Sequence, residues 1–114
     1  MRYPTAADWQ FKPDGSVHIT VTRMSDRHYE FLLALHELVE AMLCAETGVS
    51  QAAVDAFDKA YEAKRPPADK DSEPGDDPAA PYRREHVIAS VTERLTADLL
   101  KVDWNRYADE VASK

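Results

Sequence analysis

The stretch 25–48, SDRHYEFLLALHELVEAMLCAETG, decides how this chain is read. Ser25 or Asp26 can accept a hydrogen bond from the first free amides of a helix, and Gly48 can adopt the left-handed conformation that ends one. A helix is therefore predicted over 26–46. Phe31, Leu32, Leu35, Leu38, Val39, Met42 and Leu43 recur at helical spacing and form one apolar stripe, the expected core face. Leu33 and Cys44 fall on the far side, so the helix is expected to be central and largely covered. His36 and Glu40 lie one turn apart, about 6 Å in rise, with their side chains on one face. An imidazole and a carboxylate so placed can ligate one cation. Glu37 is turned about 100° from His36 but only about 60° from Glu40, and can flank the same pocket.

Working outward, residues 7–24 read as a β-hairpin. Trp9 and Phe11 alternate before the turn triplet Pro13-Asp14-Gly15, and Val17, Ile19 and Val21 alternate with His18, Thr20 and Thr22 after it. Two strands alone are marginal in water, so the hairpin must lean on helices. Ser50 can cap a second helix over 51–64, with Val54, Phe57 and Tyr61 inward; the short Gly48-Val49 link predicts an αα-hairpin with the first helix. Segment 65–81 has five prolines and five acids against two bases, and is read as a connector, with a lid or binding loop as the functional alternative. A third helix is predicted over 82–101 with a core stripe of Val87, Ile88, Val91, Leu95 and Leu99. Asp103 caps a short last helix over 103–112, whose Trp104, Tyr107 and Val111 can cover one end of the core. The expected architecture is one α+β domain over 1–114, a hairpin packed on a three- to four-helix core.

The charge balance narrows the function. Fourteen Lys and Arg against 21 Asp and Glu give a net charge of −7, which opposes phosphate neutralisation on nucleic acid and docking on anionic membranes. The longest strongly apolar run, Phe31–Leu35, is far short of the roughly 20 residues that span a bilayer. Met1-Arg2-Tyr3-Pro4 lacks the apolar block of a secretory signal, and a single cysteine, Cys44, suits a reducing cytoplasm. One cysteine also excludes a thiolate-rich zinc site, so any metal must be held by His and carboxylate. His86 is the leading further ligand. Glu93 lies seven residues on, about 20° away round the same helix, on a face shared with Ala89 and Ala97 that is small enough for close approach to the first helix. His36, Glu40 and His86 are the expected ligands, with Glu93 as a fourth ligand or as an orienter of one.

The pentad His36-Glu37-Leu38-Val39-Glu40, with a strand feeding into its helix, resembles the zincin metallopeptidases, whose helix carries H-E-x-x-H. The resemblance implies a zincin-like minimal arrangement, His36 as first ligand of Zn²⁺ and Glu37 as the base that takes a proton from water. Glu40 stands where that family has His; the added negative charge weakens the metal's Lewis acidity and admits Mn²⁺ or Fe²⁺. A second reading pairs Glu37 and Glu40 with Asp55 and Asp58 across the αα-hairpin, similar to the E-x-x-E and E-x-x-D motifs of all-α, Mg²⁺-dependent nucleotide pyrophosphohydrolases. A third has no catalysis. The runs His-Glu-Leu-Val-Glu-Ala, Asp-Ala-Phe-Asp and Pro-Gly-Asp-Asp-Pro-Ala-Ala-Pro-Tyr resemble short bacteriophage and prophage proteins, which implies a host-cytoplasmic location and a host or phage protein partner, including an inhibitory, anti-defence role. His18, His28 and Cys44 are expected to be peripheral to any site, Cys44 as a small buried filler.

Overall fold

A computed structural model describes residues 5–114; the reading of Met1–Pro4 lies outside the described residues. Strands β1 (Ala7–Phe11) and β2 (Val17–Val21) form an antiparallel hairpin in which Ala7 pairs with Val21, Trp9 with Ile19 and Phe11 with Val17. Gly15, at φ 87°, makes the turn that the Pro-Asp-Gly triplet predicts. Four α-helices follow: α1 (Arg27–Thr47), α2 (Gln51–Lys64), α3 (Arg83–Leu99) and α4 (Trp104–Ala112). This is the α+β arrangement expected. No helix among the described residues is long and apolar enough to cross a membrane.

The helix ends follow local chemistry. Asp26 accepts from the His28 amide at 2.7 Å, Ser50 from Ala53 at 3.1 Å, and Asp103 from Arg106 at 3.1 Å. Gly48, at φ 82°, closes α1. Each cap satisfies an amide that the helix leaves without a backbone partner. The α2 N-terminus is pinned to the hairpin by Gln51, whose side chain donates to the Trp9 carbonyl (3.1 Å) and accepts from the Phe11 amide (3.0 Å).

Two expectations are overturned. The main helical partner of α1 is α3, rather than α2 through an αα-hairpin. The pairs His36–Glu93, Glu40–His86 and Thr47–Glu85 show that α1 and α3 run antiparallel. The face turned inward also departs from the apolar stripes, wholly on α3 and in part on α1, where Leu32 of the expected stripe is buried and Leu35, Val39 and Leu43 are half-buried. Phe31, Leu38 and Met42 on α1, and Val87, Ile88, Val91, Leu95 and Leu99 on α3, are exposed, the last two at 67% and 81%. Buried beside Leu32 are Leu33, His36, Glu40, Ala41 and Cys44 on α1, and Glu85, His86, Ala89, Glu93 and Ala97 on α3. The alanines let the helix backbones approach, as their size predicts, and the space between is filled by polar side chains.

Apolar cover comes from elsewhere. One cluster joins Ala7, Met24, Leu32, Leu33, Ala97 and Tyr107, with Trp104 and Val111 against it, so α4 closes that end as expected. A second joins Trp9, Ala41, Cys44, Val54, Ala80 and Tyr82. Segment 65–81 is tied down. Arg65 donates to Glu62 and to the Ser72 carbonyl, Tyr61 donates to the Ser72 hydroxyl, and Pro74–Asp76 forms a 3₁₀ turn against α3.

Candidate metal centre

The α1–α3 pairing brings His36, Glu40 and His86 together, all three buried. Each offers one ligand atom, and these atoms lie within 4.8 Å of one another. Glu40 is the hub. Its Oε2 lies 3.2 Å from His36 Nε2 and 2.9 Å from His86 Nδ1, while Oε1 accepts from the Trp9 indole N–H at 3.0 Å. The two imidazole centroids are 4.8 Å apart, edge to face.

The outward nitrogen of each imidazole also meets a carboxylate. His36 Nδ1 is 2.8 Å from Glu93 Oε1, and the Tyr107 hydroxyl donates to the other oxygen of Glu93. His86 Nε2 is 3.2 Å from Glu73 Oε2 and 3.3 Å from Asp76 Oδ1. Between those two acids, Gly75 presses its backbone on the His86 ring. A Cβ at position 75 would fall 2.3 Å from His86 Cγ, so only glycine lets the loop come this close. Of the residues proposed from sequence, Glu93 takes the position of an orienter behind His36.

Glu37 does not join the hydrogen-bonded cluster but lines the adjoining cleft of about 920 Å³, together with Asp8, Asp55, Asp58 and Tyr82. Asp58 accepts from the Tyr82 hydroxyl, which engages one of the two aspartates of the pyrophosphohydrolase reading. His18 is exposed and His28 stays at the α1 N-terminus, away from the cluster. Cys44 is buried, and burial pushes its thiol up to about 12, which makes it the inert filler expected.

The electrostatics follow from burial opposed by pairing. Burial would raise the Glu40 carboxyl, but the two imidazoles bonded to it hold it at about 2. Burial would lower His86, yet Glu40 and Glu73 outweigh that and lift it to about 9. His36 is likewise raised well above its ordinary value: Glu40 and Glu93 overcome its burial. Glu37 is pushed far up, first by burial and then by the charge of Glu40. Burial and the adjacent Glu93 also raise the Tyr107 phenol, so it remains a donor. Without a metal, both imidazoles are thus biased toward the charged form by the carboxylates around them.

The donor chemistry fits a transition-metal ion. In a tetrahedral zinc site with bonds near 2.0–2.2 Å, ligand atoms stand roughly 3.3–3.6 Å apart; the Glu40 oxygen, at 3.2 and 2.9 Å from the two imidazole nitrogens, would have to draw back by a few tenths of an ångström to admit the ion. Glu73, Asp76 and His86 form a second grouping, but it uses the outer nitrogen of His86 and two exposed acids. Glu73, Asp76, Trp9 and Tyr107 are absent from the sequence-based ligand set. The one signal for the first two is a Pro-Gly-Asp turn in a carboxylate-rich loop; no local pattern marks Trp9 or Tyr107. No family model matches this chain, and no curated protein or solved structure matches it.

Proposed function

We propose that this protein holds one divalent transition-metal ion, Zn²⁺ ahead of Mn²⁺ or Fe²⁺, between His36, Glu40 and His86, and hydrolyses a peptide or amide bond there. The observation that carries this reading is the common pattern of the two imidazoles. Each turns one nitrogen to the same Glu40 oxygen and the other to a second carboxylate. Two imidazoles and one carboxylate make a donor set used by hydrolytic zinc sites that keep a fourth position open. A carboxylate behind each imidazole fixes the ring and its tautomer.

When bound, such an ion supplies Lewis acidity, polarising a carbonyl and easing the deprotonation of water. The remaining work falls to the chain. Glu37, raised toward neutrality by burial and by Glu40, is suited to accept and return a proton. Tyr107 and Glu93 hold the His36 ring, Gly75 and Glu73 hold His86, and Trp9 fixes the rotation of the Glu40 carboxylate.

Elemental analysis of protein purified without chelator is expected to find about one equivalent of zinc or a similar ion. The double variant His36→Ala/His86→Ala should carry none, and metal retained by that variant rejects the site. Glu37→Gln should keep the ion while losing hydrolysis of a mixed peptide substrate. Undiminished turnover would remove Glu37 from the role of base.

A further inference from the structure

His86 belongs to two groupings of ligand atoms, one on each ring nitrogen. Nδ1 turns inward to Glu40, and Nε2 turns outward to Glu73 and Asp76. The outer three donor atoms lie within 4.8 Å of one another, the same limit that the inner set meets.

Hydrogen bonding alone accounts poorly for the outer contacts. Nε2 carries at most one hydrogen. Three oxygens surround it, Glu73 Oε2 at 3.2 Å, Asp76 Oδ1 at 3.3 Å and the Ser90 hydroxyl at 3.4 Å. Asp76 stands outside hydrogen-bond geometry with the ring. A charge-assisted N–H···O bond closes to about 2.7–2.9 Å, as His36 Nδ1 does on Glu93 at 2.8 Å. The separations of 3.2 and 3.3 Å are instead close to the ligand-to-ligand edges of a tetrahedral zinc site. Among the described residues, neither Glu73 nor Asp76 pairs with a lysine or arginine.

The backbone holds these groups in place. The Asp76 amide donates to the Glu73 carbonyl at 3.1 Å, and the Asp77 amide donates to the Pro74 carbonyl at 3.1 Å. Pro74 fixes its own φ, and Gly75 lets this turn meet the ring where a Cβ would collide. Two carboxylates are thereby presented to a ring that Glu40 clamps from its other side. The His86 side chain is 5% exposed, but those of Glu73 and Asp76 are 51% and 60% exposed. The outer position therefore opens to solvent, and water can complete an ion's coordination there.

We propose that Glu73, Asp76 and Nε2 of His86 bind a second divalent transition-metal ion, with the His86 ring bridging it to the ion at His36 and Glu40. The bridge rests on the inner ion proposed above. The outer position does not, since neutral His86 can ligate through Nε2 while its proton sits on Nδ1 against Glu40. When both nitrogens bind metal, the ring's last N–H proton passes to solvent and the ring becomes an imidazolate shared by two cations. Ions on opposite nitrogens of one ring stand about 6 Å apart, given bonds near 2.0 Å. One imidazole and two part-exposed carboxylates make the weaker of the two sites, so the outer one fills second and needs added metal.

Equilibrium dialysis of the full chain against about 20 μM free Zn²⁺ at about pH 8 tests this. The wild type should hold about two equivalents, and Glu73→Gln/Asp76→Asn and His36→Ala about one each. A single wild-type equivalent that the acid variant keeps and His36→Ala loses overturns the inference and leaves the inner site standing. A single equivalent that the acid variant loses and His36→Ala keeps supports the outer position, rejects the inner one, and overturns the bridge. No bound zinc overturns both sites. Cu²⁺ added at the wild type's zinc stoichiometry reads the bridge without any variant. Antiferromagnetic coupling through the imidazolate should hold the electron paramagnetic resonance intensity, at liquid-helium temperature, well below that of the copper present. Glu73→Gln/Asp76→Asn, loaded to its own stoichiometry, should show full intensity. Full, uncoupled intensity from the wild type overturns the bridge.

Discussion

The two sides of the α1–α3 pair invert the usual division of labour in a helical protein. The inner side holds His36, Glu40, His86 and Glu93 between small residues, Ala41, Ala89 and Ala97, and all seven are buried. The outer side shows Phe31, Leu38, Met42, Ile88, Leu95 and Leu99 to solvent. Apolar burial is the main favourable term in folding, so a helix that spends its inner face on charged groups gives up that term there. The inner face is tolerable because every buried member of its cluster is paired: Glu40 with two imidazoles and an indole, Glu93 with His36 and Tyr107. It lowers stability relative to an apolar filling. The outward residues of both helices have the composition of a core. Periodicity alone finds both faces but not which one turns in.

The comparison breaks most readily at Glu40. Glu40→Ala removes the anion shared by both imidazoles and the acceptor of the Trp9 N–H, leaving three buried nitrogens without their partner. With chelator present, urea unfolding is expected to show a loss of about 3–5 kcal/mol, the cost of breaking a buried pair from one side. A loss below about 1 kcal/mol would mean that the inner cluster is not held by pairing.

An intermediate effect is expected from pH. His86 is raised from 6.5 to about 9 in the fold, so its stabilising contribution is complete below 6.5 and lost as pH rises through about 9. His36 is shifted in the same direction. Glu37, a carboxyl raised above 4.5, also costs stability as pH rises and it ionises. Glu40 is lowered from 4.5 to about 2, so its contribution is complete above 4.5 and lost as pH falls through about 2. The melting temperature of the metal-free protein should therefore be highest just above pH 4.5 and fall toward pH 9. A melting temperature that climbs steadily from pH 6 to 9 contradicts this account of the inner face. Metal affinity should move the opposite way, strengthening with pH as His36 and His86 lose the protons an ion must displace.

The smallest effect belongs to the outer face. Leu38→Gln replaces a side chain that is already 42% exposed, and should change unfolding free energy by no more than about 0.5 kcal/mol. A loss of several kcal/mol would place Leu38 in a core and erase the contrast between the faces.

Much of the fold was legible because its signals are local. Asp26, Ser50 and Asp103 act within one turn of helix, and Gly15 and Gly48 act at single residues, so the elements fall within about two residues of where the pattern puts them. The candidate centre was partly legible for the same reason. The i,i+4 spacing of His36 and Glu40, and the small face that carries His86 and Glu93, are properties of single helices. Glu73, Asp76, Trp9 and Tyr107 were not, since each reaches the cluster across at least 10 residues of chain and carries no spacing signal.

The amino-acid sequence by itself therefore determined where helices and strands begin and end, and that two imidazoles and two carboxylates occupy helix faces fit to meet. Only the tertiary structure decided which face turns inward, because that depends on partners from distant parts of the chain. The Trp9 indole, the Tyr107 hydroxyl and the loop pressed through Gly75 onto His86 supply the hydrogen bonds and packing that make a polar interior tolerable. Hydrophobic burial has no direction of its own. Where a polar cluster can be fully paired inside, the apolar stripe is left facing out.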